Sequence, residues 1–135
     1  MTEQEKIIAQ TFTSYVEAFQ TLNPRAALPY CHVPCIFIAS QGVLVMRTPD
    51  EIETFFARVT EGLKARSYAR SELKTFQVKQ MSGDAALVSV GRVRYKTDGH
   101  ELERVGETYT LRNTGEGWKI VVAMIHDPDT ALHLA

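Results

Sequence analysis

The sequence predicts an α+β domain in which a strongly bent antiparallel sheet wraps around N-terminal helices. Three observations predict it. Amphipathic helical stretches come first and a run of strand-like segments follows, the segregated order of α+β domains. Short turns bearing Gly and Asp separate those segments, as hairpins require. The last segment, 118–125, is apolar at both parities, with Ile120, Val122 and Met124 on one and Val121, Ala123 and Ile125 on the other. That is the pattern of a strand covered on both faces and interior to its sheet.

Composition sets the limits. The chain has 135 residues, which suits one domain spanning 1–135 with one core. Hydrophobic residues are 44% and charged residues 23%, so disorder is excluded. Net charge is -1 and no basic run exceeds two residues. Neither nucleic acid nor an anionic membrane is expected as a partner. The first residues are polar and acidic, with no long apolar run behind them, so the expectation is a cytoplasmic protein with no signal peptide or membrane span. Cys31 and Cys35 flank Pro34, with no further Cys or His at zinc-finger spacing. Two reduced, buried thiols are expected, with no local disulfide and no metal.

Thr2 and Glu5 form a T-x-x-E capping box. Behind it Ile8, Phe12, Tyr15, Phe19 and Leu22 recur every three or four residues, an amphipathic helix of about five turns. Asn23-Pro24 ends it and starts a short second helix, with Asn23 as N-cap, reaching about Tyr30 before Pro29 and Pro34 interrupt it. Residues 35–39 (CIFIA) form a strand, which Ser40-Gln41-Gly42 turns into 43–46 (VLVM). Thr48-Pro49-Asp50-Glu51 is a second capping box. Its helix carries Ile52, Phe55, Phe56, Val59 and Leu63 on one face and stops near Arg66. Strands follow at 73–81, 85–96 and 101–112. Ser82-Gly83-Asp84 joins the first two. Asp98-Gly99, the strongest two-residue hairpin signal in the chain, joins the second and third. The loop 113–117 leads to the final strand, and no repeat or linker is present.

Certain phrases carry a further signal: SYVEAF in the first helix, the hairpin CIFIASQGVLVM, and the ending TYTLRNTGEGWKI. With the element order, they resemble the nuclear transport factor 2-like superfamily of cystatin-like α+β cones. It includes ketosteroid isomerase, scytalone dehydratase, limonene epoxide hydrolase and SnoaL-type polyketide cyclases. YARSEL, ELERVGETYTL and HDPD look most like small SnoaL-like proteins of unknown function. The resemblance covers nearly the whole chain. It implies a cavity between helices and sheet, a small organic ligand or substrate, no cofactor, and a homodimer. The superfamily holds enzymes, transport factors and non-catalytic binders, so the fold does not settle the function.

The Asp98-Gly99 turn sets a register. If Thr97 faces His100, then Arg94 faces Glu103, Arg92 faces Val105, Gly91 faces Gly106 and Val90 faces Glu107. Glu107 then lies on an otherwise apolar face, with Arg92 as its diagonal neighbour. Glu107 is either a pocket acid that donates a proton or hydrogen bond, or half of an Arg92–Glu107 ion pair holding the sheet. Tyr15 is either a core tyrosine with one hydroxyl partner or, by resemblance to ketosteroid isomerase, an oxyanion donor. By the same resemblance Glu107 falls near the isomerase's protonated aspartate. The isomerase's base, an Asp ending the first strand, has no counterpart in Ile38-Ala39-Ser40, so the isomerase reaction is not expected.

His126 and Asp127 end the last strand and point to opposite faces. They are either proton-transfer groups or a strand terminator in which Asp accepts local N–H groups. If Glu107 pairs with Ala123, Asp127 shares its face and His126 joins Arg104 on the other. Tyr15, Glu107, His126 and Asp127 are thus the candidate catalytic residues, and Arg92 and Tyr109 the candidate ligand-binding ones. His32, His100 and His133 carry no role. Gly91 opposite Gly106 allows a sharp bend or a close approach to the sheet. Arg92, Arg94, Arg104 and Arg112 are either anion binders or solvated and paired strand charges. Two functions fit: a cofactor-independent lyase, isomerase or cyclase, or a non-catalytic ligand-binding or dimerisation domain.

Overall fold

Helix α1, Glu3–Gln20, starts where the capping box places it. Thr2 Oγ1 accepts the Glu5 N–H at 3.1 Å and Glu5 Oε1 accepts the Thr2 N–H at 3.0 Å, satisfying two donors that a helix start leaves open. The computed structural model describes residues 1–130, so His133 lies outside the described residues. Glu5 does more than cap. Its Oε2 accepts the Gln80 N–H at 2.9 Å, and at the other end of α1 Gln20 Oε1 accepts the Ser71 N–H at 3.2 Å. The helix is therefore hung by both ends on strand β3, Tyr68–Ser82.

The expected second helix is absent. Residues 23–27 make turns, with Ala26 N–H donating to Asn23 O at 3.0 Å, and Leu28–Tyr30 is a 3-10 turn. Pro29 has no N–H to donate back along the chain, so a helix begun at Pro24 cannot run through it. Strand β1 is Cys31–Ala39, four residues longer than expected, and pairs with β2, Gly42–Met46. Helix α2 is Pro49–Ala65 and ends at Arg66. Thr48 Oγ1 caps the Glu51 N–H at 3.1 Å, but Glu51 Oε2 returns to the Arg47 N–H at 3.4 Å, not to that of Thr48. Half of the second box is therefore displaced by one residue. Thr60 is a polar residue on the buried face of α2, satisfied by donating to Phe56 O at 2.8 Å.

The remaining strands are β4 (Ala85–Lys96), β5 (Glu101–Asn113) and β6 (Trp118–His126). The sheet order is β2-β1-β6-β5-β4-β3. β6 is interior, as expected, but β1 and β6 run parallel, so the sheet is mixed and not wholly antiparallel. Strand β3 starts at Tyr68, before the expected residue 73, because the polar run YARSEL is an edge strand that needs little burial. Among the described residues no helix is long and apolar enough to cross a membrane.

Two irregularities decide which side chains face inward. At the tip of β4–β5 the loop has three residues, Thr97-Asp98-Gly99, not two. Gly99 N–H donates to Lys96 O at 3.0 Å and Lys96 N–H to His100 O at 2.8 Å. Gly99 takes φ +91°, the conformation that closes such a loop. Leu102 is then an extra residue between the Tyr95–Glu101 and Arg94–Glu103 pairs. The two offsets cancel, and every expected pair from Arg94–Glu103 to Val90–Glu107 is present. In β6, Val121 is the extra residue between the Leu111–Ile120 and Thr110–Val122 pairs. This bulge moves Ile120 onto the face of Ala123 and Ile125, which line the cone with it. The outer face keeps Met124, 37% exposed, so β6 is not covered on both sides as its composition implied.

The core fills the concave side. Phe12 is fully buried at its centre, with ring centroids 4.8 Å from Tyr109, 5.5 Å from Phe76 and 5.8 Å from Tyr15. On the convex side the glycine pair serves a close approach. The chain end, including the 3-10 turn Pro128–Thr130, crosses the sheet at Gly91 and Gly106. A Cβ on Gly106 would overlap the Asp127 carbonyl and lie 2.7 Å from His126 Nδ1.

Candidate functional site

A cavity of about 100 Å³ lies between the sheet and the two helices. Helix α1 supplies Tyr15 to it, β1 supplies the thiols Cys31 and Cys35, β4 supplies Arg92 and Arg94, and β5 supplies Glu107. The rest of the lining is apolar, chiefly from α2 and β6. Strand alternation explains the polar set. Arg92 and Arg94 share the parity of Val88 and Val90, and Glu107 is the cross-strand partner of Val90.

Arg92, Glu107 and Tyr109 form one closed network. Arg92 Nε lies 2.5 Å from Glu107 Oε1, a charge contact whose N–H is not aimed at the oxygen. Tyr109 donates to Glu107 Oε2 at 2.6 Å and accepts from Arg92 Nη2 at 3.1 Å. The side chains of Arg92 and Glu107 are only 2% and 8% exposed. One carboxylate oxygen is hydrogen-bonded and the other is held by charge alone, so the Arg92–Glu107 pairing is the arrangement found, not a lone pocket acid. Burial works to lower the Arg92 pKa, but the Glu107 carboxylate and nearby tyrosines outweigh it and raise it overall, so the guanidinium stays charged. Burial also pushes the Tyr109 hydroxyl well above the usual phenol range, and the Glu107 charge adds to this. Tyr109 stands behind the cavity wall as the brace of the pair.

Tyr15 differs. Burial raises its pKa too, so it stays a neutral donor. It lines the cavity, and no described residue accepts a hydrogen bond from its hydroxyl. The core alternative expected one partner for that hydroxyl, and the described residues supply none. Cys31 and Cys35 are free and buried, donating to the Ala27 and Ile120 carbonyls at 3.5 and 3.6 Å.

His126 and Asp127 lie outside the cavity. His126 pairs with Gly106, on the outer parity of β5. Its Nε2 is 2.9 Å from Thr108 Oγ1, and its Nδ1 is 2.9 Å from Asp127 O and 3.1 Å from Thr130 Oγ1. Both ring nitrogens are spent holding the chain end on the convex face. Glu107 pairs with Ile125, not Ala123. This two-residue offset leaves parity unchanged, so Asp127 shares the face of Glu107. It sits past the strand end, exposed, in a separate depression of about 300 Å³ that also contains Phe37 and Ile125 of the cavity lining. Among the described residues no three His, Cys, Asp or Glu side chains gather as a metal site requires.

The carboxylates that tie elements together predict a pH response. The Glu5 carboxyl is held below the usual range by the Thr2 N–H and then the Gln80 N–H. At Glu103 burial pulls upward, but Arg94 and Arg66 win and lower it. Both contributions are present above the unfolded carboxylate value, about 4.3, and are lost as pH falls through the lower folded values. The urea midpoint should hold from pH 7 to 5 and fall between pH 4.5 and 3. An unchanged midpoint at pH 3 would count against these tethers.

Several comparisons bear on the geometry. The family model described as an NTF2-like protein (DUF6841) matches residues 3–128. No curated protein matches the chain. An NTF2-like protein with a cystatin-like fold from Novosphingobium aromaticivorans is similar at 16% identity and TM-score 0.72, over 89% of this chain and 79% of that one. A protein of unknown function with a cystatin-like fold from Nostoc punctiforme gives 12% and 0.73, over 93% and 92%. A ketosteroid isomerase-like protein from Erwinia carotovora atroseptica gives 18% and 0.68, over 93% and 96%. At these identities the likeness is one of fold.

Proposed function

The chain belongs to the NTF2-like family described by DUF6841, and from that premise we propose that it binds a small organic molecule inside its cone. The observation that carries this reading is the Tyr15 hydroxyl, a neutral donor facing the cavity with no acceptor among the described residues. A buried donor left unpaired costs free energy that a ligand carbonyl would recover. The Arg92–Glu107–Tyr109 network supports the site by fixing the wall opposite α1. The volume limits the ligand. About 100 Å³ is well below the roughly 300–1,000 Å³ of drug-sized pockets, so the molecule has only a few heavy atoms. Tyr15→Phe should leave stability within about 0.5 kcal/mol, because no protein hydrogen bond is lost. It should weaken a bound carbonyl compound by up to about tenfold, measured by calorimetry with butanone. Unchanged affinity, or a marked loss of stability, would remove Tyr15 from the site.

A second reading, a cofactor-independent lyase, isomerase or cyclase, is favoured by Asp127. Its carboxylate has no side-chain partner among the described residues and shares Phe37 and Ile125 with the cavity rim. Hydrogen–deuterium exchange at carbon next to a bound carbonyl, followed by NMR, separates the two. Exchange that Asp127→Asn abolishes supports turnover, and its absence leaves a binding domain.

We also propose a homodimer through the convex face of the sheet, as the family resemblance implies and because the helices cover only the other face. An interface of about 1,200 Å² or more is expected. Light scattering at micromolar concentration should return twice the chain mass, and a monomer would overturn the assignment.

A further inference from the structure

Cys31 and Cys35 meet because strand β1 is gathered between them. Along β1 the pairing runs from Cys31 to Ile36, while along β6 it advances only from Ile120 to Val122. In a regular strand, residues four apart are separated by about 13 Å. Here the surplus chain bulges, and both thiols come to Ile120. Cys31 is its strand partner, and Cys35 Sγ donates to its carbonyl at 3.6 Å. The Cys31 thiol lies within hydrogen-bonding reach of the Cys35 sulfur. Both residues line the cavity and keep some surface there, at 9% and 5% exposure. Cys35 has the parity of Phe37, whose ring packs 4.7 Å from Phe55 of α2 inside the cone. Tyr15, 7% exposed and without an acceptor among the described residues, lies within electrostatic reach of both sulfurs.

We propose that the cavity captures a small α,β-unsaturated carbonyl compound covalently, with the Cys35 sulfur as nucleophile and the Tyr15 hydroxyl polarising the carbonyl. The proposal rests on the ligand-binding reading above and names the ligand's class. Sulfur attacks as the thiolate. A hydrogen bond from Cys31 holds the Cys35 thiol below the usual range, with burial opposing and the Ile36 N–H assisting. The same hydrogen bond, together with burial, pushes the Cys31 thiol up. The pair therefore yields one proton and keeps the other. The S–C bond forms at the ligand's β carbon as the C=C π bond breaks. The electron pair moves to the carbonyl oxygen, and Tyr15 O–H donates to the enolate so formed. The proton lost by Cys35 goes to solvent, and the α carbon takes one back, so nothing is oxidised or reduced. The cavity admits only about four or five heavy atoms, by comparison with the about 150 Å³ that accommodates benzene.

The probes are butenone (but-3-en-2-one) and butanone, which share a carbon skeleton and a carbonyl and differ in the reactive C=C bond. Butenone should add once to the folded, reduced wild-type protein, at Cys35 by peptide mapping. It should do so at least about tenfold faster than to glutathione in solution. The rate should level off at high butenone, and butanone should slow it by competition. Cys35→Ser should abolish the adduct. Cys31→Ala should leave Cys35 reactive but slower, and Tyr15→Phe should slow addition by up to about tenfold. Mapping, saturation and butanone protection are read on wild-type protein, so they decide the matter even if the variants fold poorly. Addition at Cys31, a rate no faster than that of glutathione, or addition only after unfolding in urea overturns the capture proposal. So does an unchanged rate in Tyr15→Phe. If butanone still binds by calorimetry in any of those cases, the ligand-binding reading stands. If butenone does not add and butanone does not bind, both fall.

Discussion

Glu107→Gln is expected to cost about 3 kcal/mol or more. The substitution removes the charge opposite the Arg92 guanidinium, which is buried beneath α1 and cannot reach water. Gln can still accept from Tyr109, but it cannot compensate a full positive charge. For a chain of this length the melting temperature should fall by roughly 10 °C. The denaturant midpoint should drop with an unchanged m value. Replacing both partners by apolar residues of similar size, Arg92→Met with Glu107→Leu, should recover much of the loss, because no charge is then stranded. A single substitution costing under about 1 kcal/mol would show that the pair does not hold the sheet.

Phe12→Ala is expected to cost about 3–5 kcal/mol. The ring is fully buried and touches both the tyrosine that faces the cavity and the one that braces Glu107. Its loss opens a void between helix and sheet that neither rigid element can close. The effect should reach the site as well. Near-ultraviolet circular dichroism from Tyr15 and Tyr109 should weaken before the protein unfolds. A variant with near-wild-type stability and unchanged aromatic signal would mean that α1 repacks freely, contrary to its tethers at Gln80 and Ser71.

The inward face of β4 and β5 was legible in the sequence because alternation is local. Val88, Val90 and Arg92 keep period two, and the Asp98-Gly99 signal ties them to Val105, Glu107 and Tyr109. The caps at Thr2 and Thr48 were legible for the same reason. Long-range facts were not. That β1 lies parallel beside β6 is set by how the sheet closes on the helices, which no short pattern records. The bulge at Val121 hides in an unbroken apolar run, where either parity looks equally buried. Arg94 was visible as one strand arginine among several. That Glu103, its cross-strand partner, also serves Arg66 of another element was not visible. The sequence placed His126 on the outer face only on condition of a Glu107–Ala123 pair, and its bonds to Thr108 and Thr130 depend on the chain end folding back across Gly106.

The three-residue loop and the extra Leu102 together act as a slip joint. A two-residue turn without a bulge would give the same Arg94–Glu103 pair. A change of one residue between Lys96 and Glu103 can therefore be absorbed at the joint without passing down the ladder to Glu107. The hairpin tip is thereby insulated in register from the cone, while Thr97 N–H anchors it to Ser67 O at 2.9 Å. For anyone fitting this scaffold with a fluorophore or crosslinker, the exposed turn around His100 is the place where a graft should leave the cavity's geometry unchanged.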